Sequence, residues 1–199
     1  HKNSTWKTTL SKGKYFCGTM GRNEKTLSKS SLLGVDLLIF VTLGTQDKHF
    51  PRLLEAVEKL NLNEKIVAQT GSTDFQSDKM EIHKFLSQDE FNKYMKEARI
   101  VITHAGVGTI IYGLNIHKTL IVAPRLKKYG EHVNDHQLQI LETFSKDGYI
   151  IPLDDFSKLN EKIEEASNFK PKEFVSNNAN FVKHLDDEII RLTTNKGAK

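Results

Sequence analysis

The chain has 199 residues, of which 38% are hydrophobic and 27% charged, with a formal net charge of +4 and an isoelectric point near 9.0. These proportions are ordinary for a globular protein with a substantial core, and the longest apolar run, at 32–44, is shorter than the roughly 20 residues of a bilayer-spanning helix. A single cysteine, Cys17, excludes an intrachain disulfide and a cysteine-based zinc site, which favours a reducing compartment.

The positive charge is concentrated at the start of the chain. Residues 1–31 contain seven Lys or Arg and one Glu, so residues 32–199 carry a formal charge of −2. The first 31 residues also lack apolar periodicity, which predicts a basic, poorly ordered tail before a domain at 32–199. Such a tail could contact anionic lipid or nucleic acid, or remain a solvated segment. Because the remainder is acidic, we expect no nucleic-acid partner.

The hydrophobic pattern alternates between short apolar runs and amphipathic segments. In chain order it predicts a strand at 36–43, a helix at 50–60, strands at 65–70 and 80–85, a helix at 87–98, a strand at 99–104, a helix at 109–116, a strand at 119–124, a helix at 134–146, a strand at 149–153 and helices beyond. Ser87 and Glu90 predict a capping box at the second helix. Short apolar strands separated by helices predict an α/β fold, in which helices cover both faces of a parallel sheet.

Three polar loops follow predicted strands, and ligands of open parallel sheets bind outside the carboxyl ends of the strands. The first loop begins "GTQ", the second is "AGVGT" and the third is "RLKKYGEHVNDHQ". In the second loop, Gly106 and Gly108 permit positive φ and close backbone approach, and Thr109 opens a helix whose free N–H groups favour an anion. A phosphate-binding turn is one interpretation, and a tight strand-to-helix turn without a ligand is the other.

Two common phosphate motifs are absent from the chain. The dinucleotide fingerprint would need a third glycine at the position of Ile111, and the Gly-Lys-Ser/Thr sequence of a P-loop occurs nowhere. Neither a nicotinamide enzyme nor a P-loop NTPase is therefore favoured.

The end of the 99–104 strand and the third loop supply polar side chains for a ligand. The ring of His104 could donate to a phosphate or a sugar hydroxyl, or it could be structural. The third loop gathers cations, carboxylates, amides and imidazoles, which suit a polyhydroxylated ligand, although a solvated loop before a helix has the same composition. His132 and His136 have the i, i+4 spacing of zinc ligands, but there is no HExxH sequence or evident third ligand, so we expect no metal.

The stretches "FVTLGT", "FLSQDEFNKYMKEARIVITHAGVGT" and "PRLKKYGEHVNDHQLQ" together resemble the C-terminal, donor-binding domain of family 28 glycosyltransferases. The resemblance covers about Leu37 to Leu153. It is strongest for short stand-alone members: the catalytic subunit of the two-chain transferase that extends dolichyl-diphosphate-GlcNAc, and its bacterial counterparts in capsule and exopolysaccharide assembly. The resemblance implies one Rossmann-like half of a GT-B fold, with a UDP-sugar as donor substrate and no cofactor.

The resemblance also implies which residues contact the donor. The expected donor-binding set comprises the first two loops and part of the third: Gly44, Thr45, His104, Gly106, Gly108, Thr109, Arg125, Glu131, Asn134, His136 and Gln137. Within it, the glycine loop lies against the diphosphate, and the His136–Gln137 pair faces the hydroxyls of the donor sugar. Tyr112 stands where a longer relative has the glutamate that holds the ribose, which leaves Glu131 as the candidate substitute.

No general base stands out in this half of the cleft. In the family that the chain resembles, this group is expected across the cleft, so the resemblance implies a membrane-anchored partner subunit that supplies the acceptor half and recruits a cytoplasmic chain to the cytosolic face of a membrane. The acceptor would be a lipid-diphosphate-linked sugar, extended with inversion. We thus expect the catalytic subunit of a UDP-hexosyltransferase that is active only with its partner. The alternative is a non-catalytic, regulatory module that binds a nucleotide sugar.

Overall fold

A single parallel sheet organises the protein. The computed structural model describes residues 37–175. Within them the strands are β1 (Leu38–Thr42), β2 (Lys65–Gln69), β3 (Met80–His83), β4 (Ile100–His104), β5 (Thr119–Ala123) and β6 (Ile151–Pro152). They lie in the order β3-β2-β1-β4-β5-β6, and each neighbouring pair is parallel. This is the strand order of a Rossmann fold.

In this described part of the chain, five α-helices connect and cover the strands: α1 (Pro51–Glu58), α2 (Gln88–Glu97), α3 (Val107–Asn115), α4 (His136–Lys146) and α5 (Leu159–Ala166). The predicted sequence of strands and helices is confirmed from residue 38 to residue 166. The helices predicted from 154 to the end include α5, but residues 167–175 contain no helix, and residues 176–199 and the predicted basic tail at 1–31 lie outside the described residues. No helix within residues 37–175 is long and apolar enough to cross a membrane.

The two faces of the sheet bury separate hydrophobic clusters. Ile39 and Val41 of β1 point to the face covered by α1 and α5, whereas Phe40 between them points to the face covered by α2, α3 and α4. All five residues of β1 are buried, because helices cover both faces of a parallel sheet and leave no solvated side. This double burial explains why the strands read as continuous apolar runs in the sequence.

The predicted capping box at the start of α2 is confirmed. The Ser87 hydroxyl accepts from the Glu90 backbone N–H at 3.3 Å, and the Ser87 backbone N–H donates to the Glu90 carboxylate at 2.9 Å. These two bonds satisfy backbone donors that the first turn of a helix leaves free. The cap fixes the loop between β3 and α2 at the carboxyl edge of the sheet.

Candidate functional site

A crevice opens at the carboxyl edge of the sheet beside β1 and β4. The chain runs outward from β1 to β2 and β3, and it then returns to place β4 on the other side of β1. The loops after β1 and β4 therefore diverge, and this switch point is where open parallel sheets bind ligands. A pocket of about 320 Å³ lies there.

Most of the sequence-predicted site residues meet in this pocket. Eight of the eleven line it: Gly44, Thr45, His104, Gly106, Gly108, Thr109, His136 and Gln137. They come from the loop after β1, the end of β4, the start of α3 and the start of α4. The other three, Arg125, Glu131 and Asn134, are not part of its lining. The lining also includes Gln46, His132 and Ile140, which the predicted set did not contain.

The position of the His104 ring explains why two of the pocket residues are glycines. A Cβ built on Gly106 would lie 2.3 Å from Nε2 of this ring, and a Cβ on Gly44 would lie 2.6 Å from its Cε1. Gly44 also has a φ of 75°, whereas Gly106 has a φ of −89° and Gly108 is outside the positive-φ region. Neither glycine of the second loop therefore uses the positive φ that glycine permits. Gly106 is small because the histidine ring packs against it.

Burial keeps the His104 imidazole neutral. The side chain is 8% exposed, and desolvation, followed by the nearby positive charge of Arg125, lowers its pKa from 6.5 to about 4. Its Nδ1 lies 3.5 Å from the Thr103 hydroxyl. A backbone hydrogen bond with Thr42 acts on this pKa in the opposite direction, and a neutral imidazole has one N–H donor, so His104 can donate at most one hydrogen bond to a ligand and carries no positive charge.

The start of α3 presents backbone donors to the pocket. The helix begins at Val107, two residues before the predicted start, because Gly106 takes the extended N-cap conformation. No side chain within the described range caps this helix, so the N–H groups of Val107, Gly108 and Thr109 have no partner inside the helix. A Cβ on Gly108 would meet no atom within 4 Å. The helix start thus combines free donors, a positive dipole end and open space, which suits an anion.

Arg125 lies behind the pocket. Its side chain is 1% exposed, and its guanidinium donates to the backbone carbonyl of Leu43 at 2.7 Å and to that of Lys48 at 2.6 Å. Its own backbone N–H donates to the Gln137 side-chain oxygen at 2.9 Å. These bonds direct the guanidinium into the protein, so the structure does not bring it to the pocket lining.

Glu131 is also turned inward, towards Arg52 of α1. Both of its carboxylate oxygens accept from the Arg52 guanidinium at 2.6 Å, and one accepts from the Leu126 backbone N–H at 3.0 Å. The Glu131 side chain is 3% exposed. With its oxygens engaged in this way, Glu131 does not reach the pocket as a substitute for a ribose-binding glutamate.

The start of α4 orients two pocket residues. The side-chain oxygen of Gln137 accepts from the Arg125 backbone N–H, so the NH₂ group of Gln137 remains available to donate. The His136 ring lies 2.9 Å from Oε1 of Gln139, and the exposed Asn134 accepts from the His136 backbone N–H at 3.1 Å. His132 precedes the helix, so its spacing from His136 is not that of two ligands on one helical turn. No group of three metal-binding side chains occurs among residues 37–175.

Tyr112 does not line the pocket. Its hydroxyl donates to the Asn92 side chain at 2.7 Å, and its ring packs near that of Phe91 with a centroid separation of 6.1 Å. Tyr112 therefore joins α3 to α2, and the sequence position of the expected glutamate is taken by a packing residue.

A second, smaller pocket of about 190 Å³ adjoins the first. Gly44, Thr45 and Thr109 line both, and the second pocket adds side chains from β1, β2 and the α2 region: Thr42, Gln69, Leu86, Gln88 and Phe91. Gln69 is 3% exposed, and its side-chain oxygen has no partner among the described residues. Sequence reasoning missed these residues. Gln69 ends β2, so the rule that ligands bind at carboxyl strand ends could have identified it.

Comparison with known proteins identifies related sequences. Residues 38–189 match the model of the glycosyltransferase family 28 C-terminal domain. UDP-N-acetylglucosamine transferase subunit ALG13 of Candida albicans is 36% identical over 77 residues, covering 39% of this chain and 25% of that protein. Human UDP-N-acetylglucosamine transferase subunit ALG13 is 26% identical over 124 residues, covering 56% of this chain and 10% of that protein. The matches thus span a quarter or less of the curated relatives.

A solved structure shows the same fold. The glycotransferase of kitacinnamycin superposes with a TM-score of 0.52 at 22% identity, covering 74% of this chain and 39% of the other. The predicted fold, a single Rossmann-like half of the GT-B type, is confirmed by this likeness and by the six-stranded parallel sheet. Since the family match extends over well more than half of the residues, the chain belongs to the glycosyltransferase family 28 C-terminal domain family.

Proposed function

We propose that this chain is the donor-binding, catalytic subunit of a glycosyltransferase that transfers a hexose, such as GlcNAc, from a UDP-sugar. The acceptor is a polyprenyl- or dolichyl-diphosphate-linked saccharide. The observation that carries the proposal is the start of α3, where free backbone donors face open space over Gly108 inside the switch-point pocket. Family membership and the similarity to UDP-N-acetylglucosamine transferase subunits support the choice of a nucleotide sugar over other anions.

The diphosphate is assigned to the first turn of α3. Its oxygens would accept from the N–H groups of Val107, Gly108 and Thr109, and His104 would add one neutral N–H donor from the end of β4. The donor sugar would extend towards α4, where the free NH₂ group of Gln137 can donate to a hydroxyl oxygen. This placement uses the starts of both α3 and α4.

The nucleoside is assigned to the second pocket. The two pockets share Gly44, Thr45 and Thr109, so a ligand with its diphosphate at α3 can extend into both. Leu86 and Phe91 supply apolar contact for a base, and the buried oxygen of Gln69 lacks a hydrogen-bond partner within the described range. A base N–H would satisfy that oxygen, which otherwise carries a desolvation cost.

The proposed reaction is a single displacement. The acceptor hydroxyl oxygen bonds to the anomeric carbon as the bond from that carbon to UDP breaks, the bond pair leaves with UDP, and the hydroxyl proton passes to a base. A single displacement inverts the anomeric configuration. The N–H groups of α3 would stabilise the charge that develops on the departing diphosphate. Neither pocket is lined by Asp or Glu among the described residues, and we propose that the base lies across the cleft in a partner subunit rather than among the histidines of the donor pocket.

Exposed apolar side chains around the pocket fit a partner that completes the cleft. Phe85 follows β3, Val107 begins α3, Val133 lies before α4 and Leu138 is in its first turn, with exposed fractions of 57%, 40%, 69% and 41%. Apolar groups gathered at one edge are typical of an interaction surface. The partner would carry the membrane anchor and hold this cytoplasmic chain at the cytosolic face. A lone donor half leaves the acceptor unpositioned, and positioning can supply roughly 7–11 kcal/mol of barrier reduction.

Titration calorimetry tests donor binding directly. The purified chain should bind UDP, and it should bind uridine much more weakly, because uridine lacks the diphosphate that α3 would hold. Uridine is the matched ligand control, since it can still enter the second pocket. No heat and no displacement of a fluorescent UDP analogue up to high millimolar UDP would contradict the proposal.

A transfer assay separates catalysis from regulation. Radiolabelled UDP-sugars and a lipid-diphosphate-sugar acceptor are incubated with the chain, with and without membranes that contain a partner subunit. We expect transfer only when the chain and the membranes that contain the partner subunit are incubated together. Donor binding without transfer in either mixture would favour the alternative, a non-catalytic module. Full turnover by the purified chain alone would contradict the argument that this half of the cleft is incomplete.

A further inference from the structure

We infer that Arg125 is a positioning residue: from behind the pocket it locks the loop after β1 to the start of α4, and so sets the separation of the two walls that hold the donor. The inference rests on the proposed function, because its readout is donor affinity. It gives Arg125 a role that involves no contact with the ligand.

The contacts of Arg125 bracket one wall of the pocket. Its guanidinium donates to the carbonyls of Leu43 and Lys48, which lie immediately before and shortly after the pocket-lining residues Gly44 and Thr45. These bonds join positions 82 and 77 residues apart in the chain. A loop held at both ends by one rigid group has little freedom to move away from the pocket.

The backbone of Arg125 holds the opposite wall. Its N–H donates to the Gln137 side-chain oxygen at 2.9 Å, which fixes the amide whose NH₂ group remains free at the pocket. A weaker contact of 3.5 Å links the guanidinium to the Glu131 carbonyl in the same loop. One residue therefore bonds to segments on both sides of the donor pocket, although its side chain is 1% exposed.

The chemistry of this position favours arginine over lysine. The planar guanidinium directs several N–H groups in fixed directions, so it can serve two carbonyls at once, whereas a lysine ammonium is a compact group on a flexible stem. The nearby Glu131 carboxylate is engaged by Arg52, and no salt bridge to Arg125 occurs in the described part of the chain. Arg125 is thus held mainly by the carbonyls that it positions.

Arg125→Lys tests the inference, and Arg99→Lys is the matched control. Arg99 also makes a bidentate contact, in which its guanidinium donates to both carboxylate oxygens of Glu64 at 2.6 Å. However, Arg99 precedes β4, at the opposite end of the strands, and it lines neither pocket. Three quantities are measured: affinity for UDP by calorimetry, thermal stability, and amide hydrogen exchange along the chain. Exchange distinguishes local opening of a loop from global unfolding.

We expect Arg125→Lys to bind UDP at least ten-fold more weakly and to exchange faster the amides of Gly44 and Phe50, whose hydrogen bonds flank the loop, with exchange in the core strands unchanged. Arg99→Lys should keep wild-type UDP affinity. Unchanged affinity in Arg125→Lys would overturn the inference. So would weaker binding without faster exchange at Gly44 and Phe50, which would make Arg125 a ligand contact. Equal weakening in Arg99→Lys would overturn it too, since the effect would then be global.

A measurement on the wild-type protein covers the case in which Arg125→Lys does not fold. As denaturant is raised, the amides of Gly44 and Phe50 should lose protection together with the hydrogen-bonded amides of 125–131, because Arg125 joins the two segments. Independent opening of the two segments would overturn the inference. If wild-type protein shows this coupling but binds no UDP, the proposed function fails while the coupling itself stands.

Discussion

Gly108→Ala separates a role in ligand binding from a role in folding. A Cβ at this position meets no atom within 4 Å, and the backbone is outside the positive-φ region, so the fold can accept it. Gly108 is the second residue of α3, and in a helix interior alanine is about 0.8–1.0 kcal/mol more favourable than glycine. A gain of about 1 kcal/mol raises Tm by roughly 2–4 °C in a chain of this size. We therefore expect Tm to be unchanged or slightly raised.

The same methyl group should weaken donor binding. It would occupy the open space in which the proposed diphosphate contacts the N–H of Gly108. Losing one hydrogen bond to a charged group costs about 1.5–3 kcal/mol, which corresponds to roughly ten-fold to a hundred-fold weaker binding. Gly108→Val adds two more carbons and should abolish measurable affinity. Stability and binding are thus expected to change in opposite directions.

Gly106→Ala is the matched control in the same loop. Its Cβ would lie 2.3 Å from Nε2 of His104, and such overpacking typically costs about 1–3 kcal/mol, so this variant should lose stability. Thermal unfolding and UDP calorimetry are measured on both variants. If folded Gly108→Ala binds UDP as the wild type does, no ligand phosphate approaches the start of α3. If Gly108→Ala is strongly destabilised, the assignment of open space at this position is wrong.

Three further substitutions test single side chains. His104→Ala should bind UDP about ten-fold more weakly, and unchanged affinity would leave the ring only its packing against Gly44 and Gly106. Because the pKa of His104 is lowered from 6.5 to about 4, the unfolded chain takes up the proton first, so the free energy of unfolding should fall by about 3 kcal/mol as pH drops through this range. Urea titrations at several pH values should show that His104→Ala loses this part of the pH dependence. Ser87→Ala should cost about 0.5–2 kcal/mol in a urea titration, because it removes the side-chain cap of α2. Tyr112→Phe should cost about 0.5–1.5 kcal/mol and leave UDP affinity unchanged, and a loss of affinity would instead place Tyr112 in ribose recognition.

Local patterns in the sequence determined the order of strands and helices. Strands buried on both faces read as continuous apolar runs, and the capping residues Ser87 and Glu90 mark a helix start without reference to distant residues. The rule that parallel strands end at a common edge then predicted that the loops after β1, β4 and β5 meet. The pocket confirms that they do. The residue types in these loops also carried the family resemblance.

Only the tertiary structure decided which polar residues face the pocket. Arg125 and Glu131 belong to the same polar loop as His136 and Gln137, yet they turn inward, because the Leu43 and Lys48 carbonyls and Arg52 of α1 lie within reach. Gly106 is explained by the neighbouring histidine ring, and the second pocket joins β2 with the α2 region. Local pattern indicates whether a segment is buried. The partner that a buried charge finds depends on which distant segments the sheet places beside it.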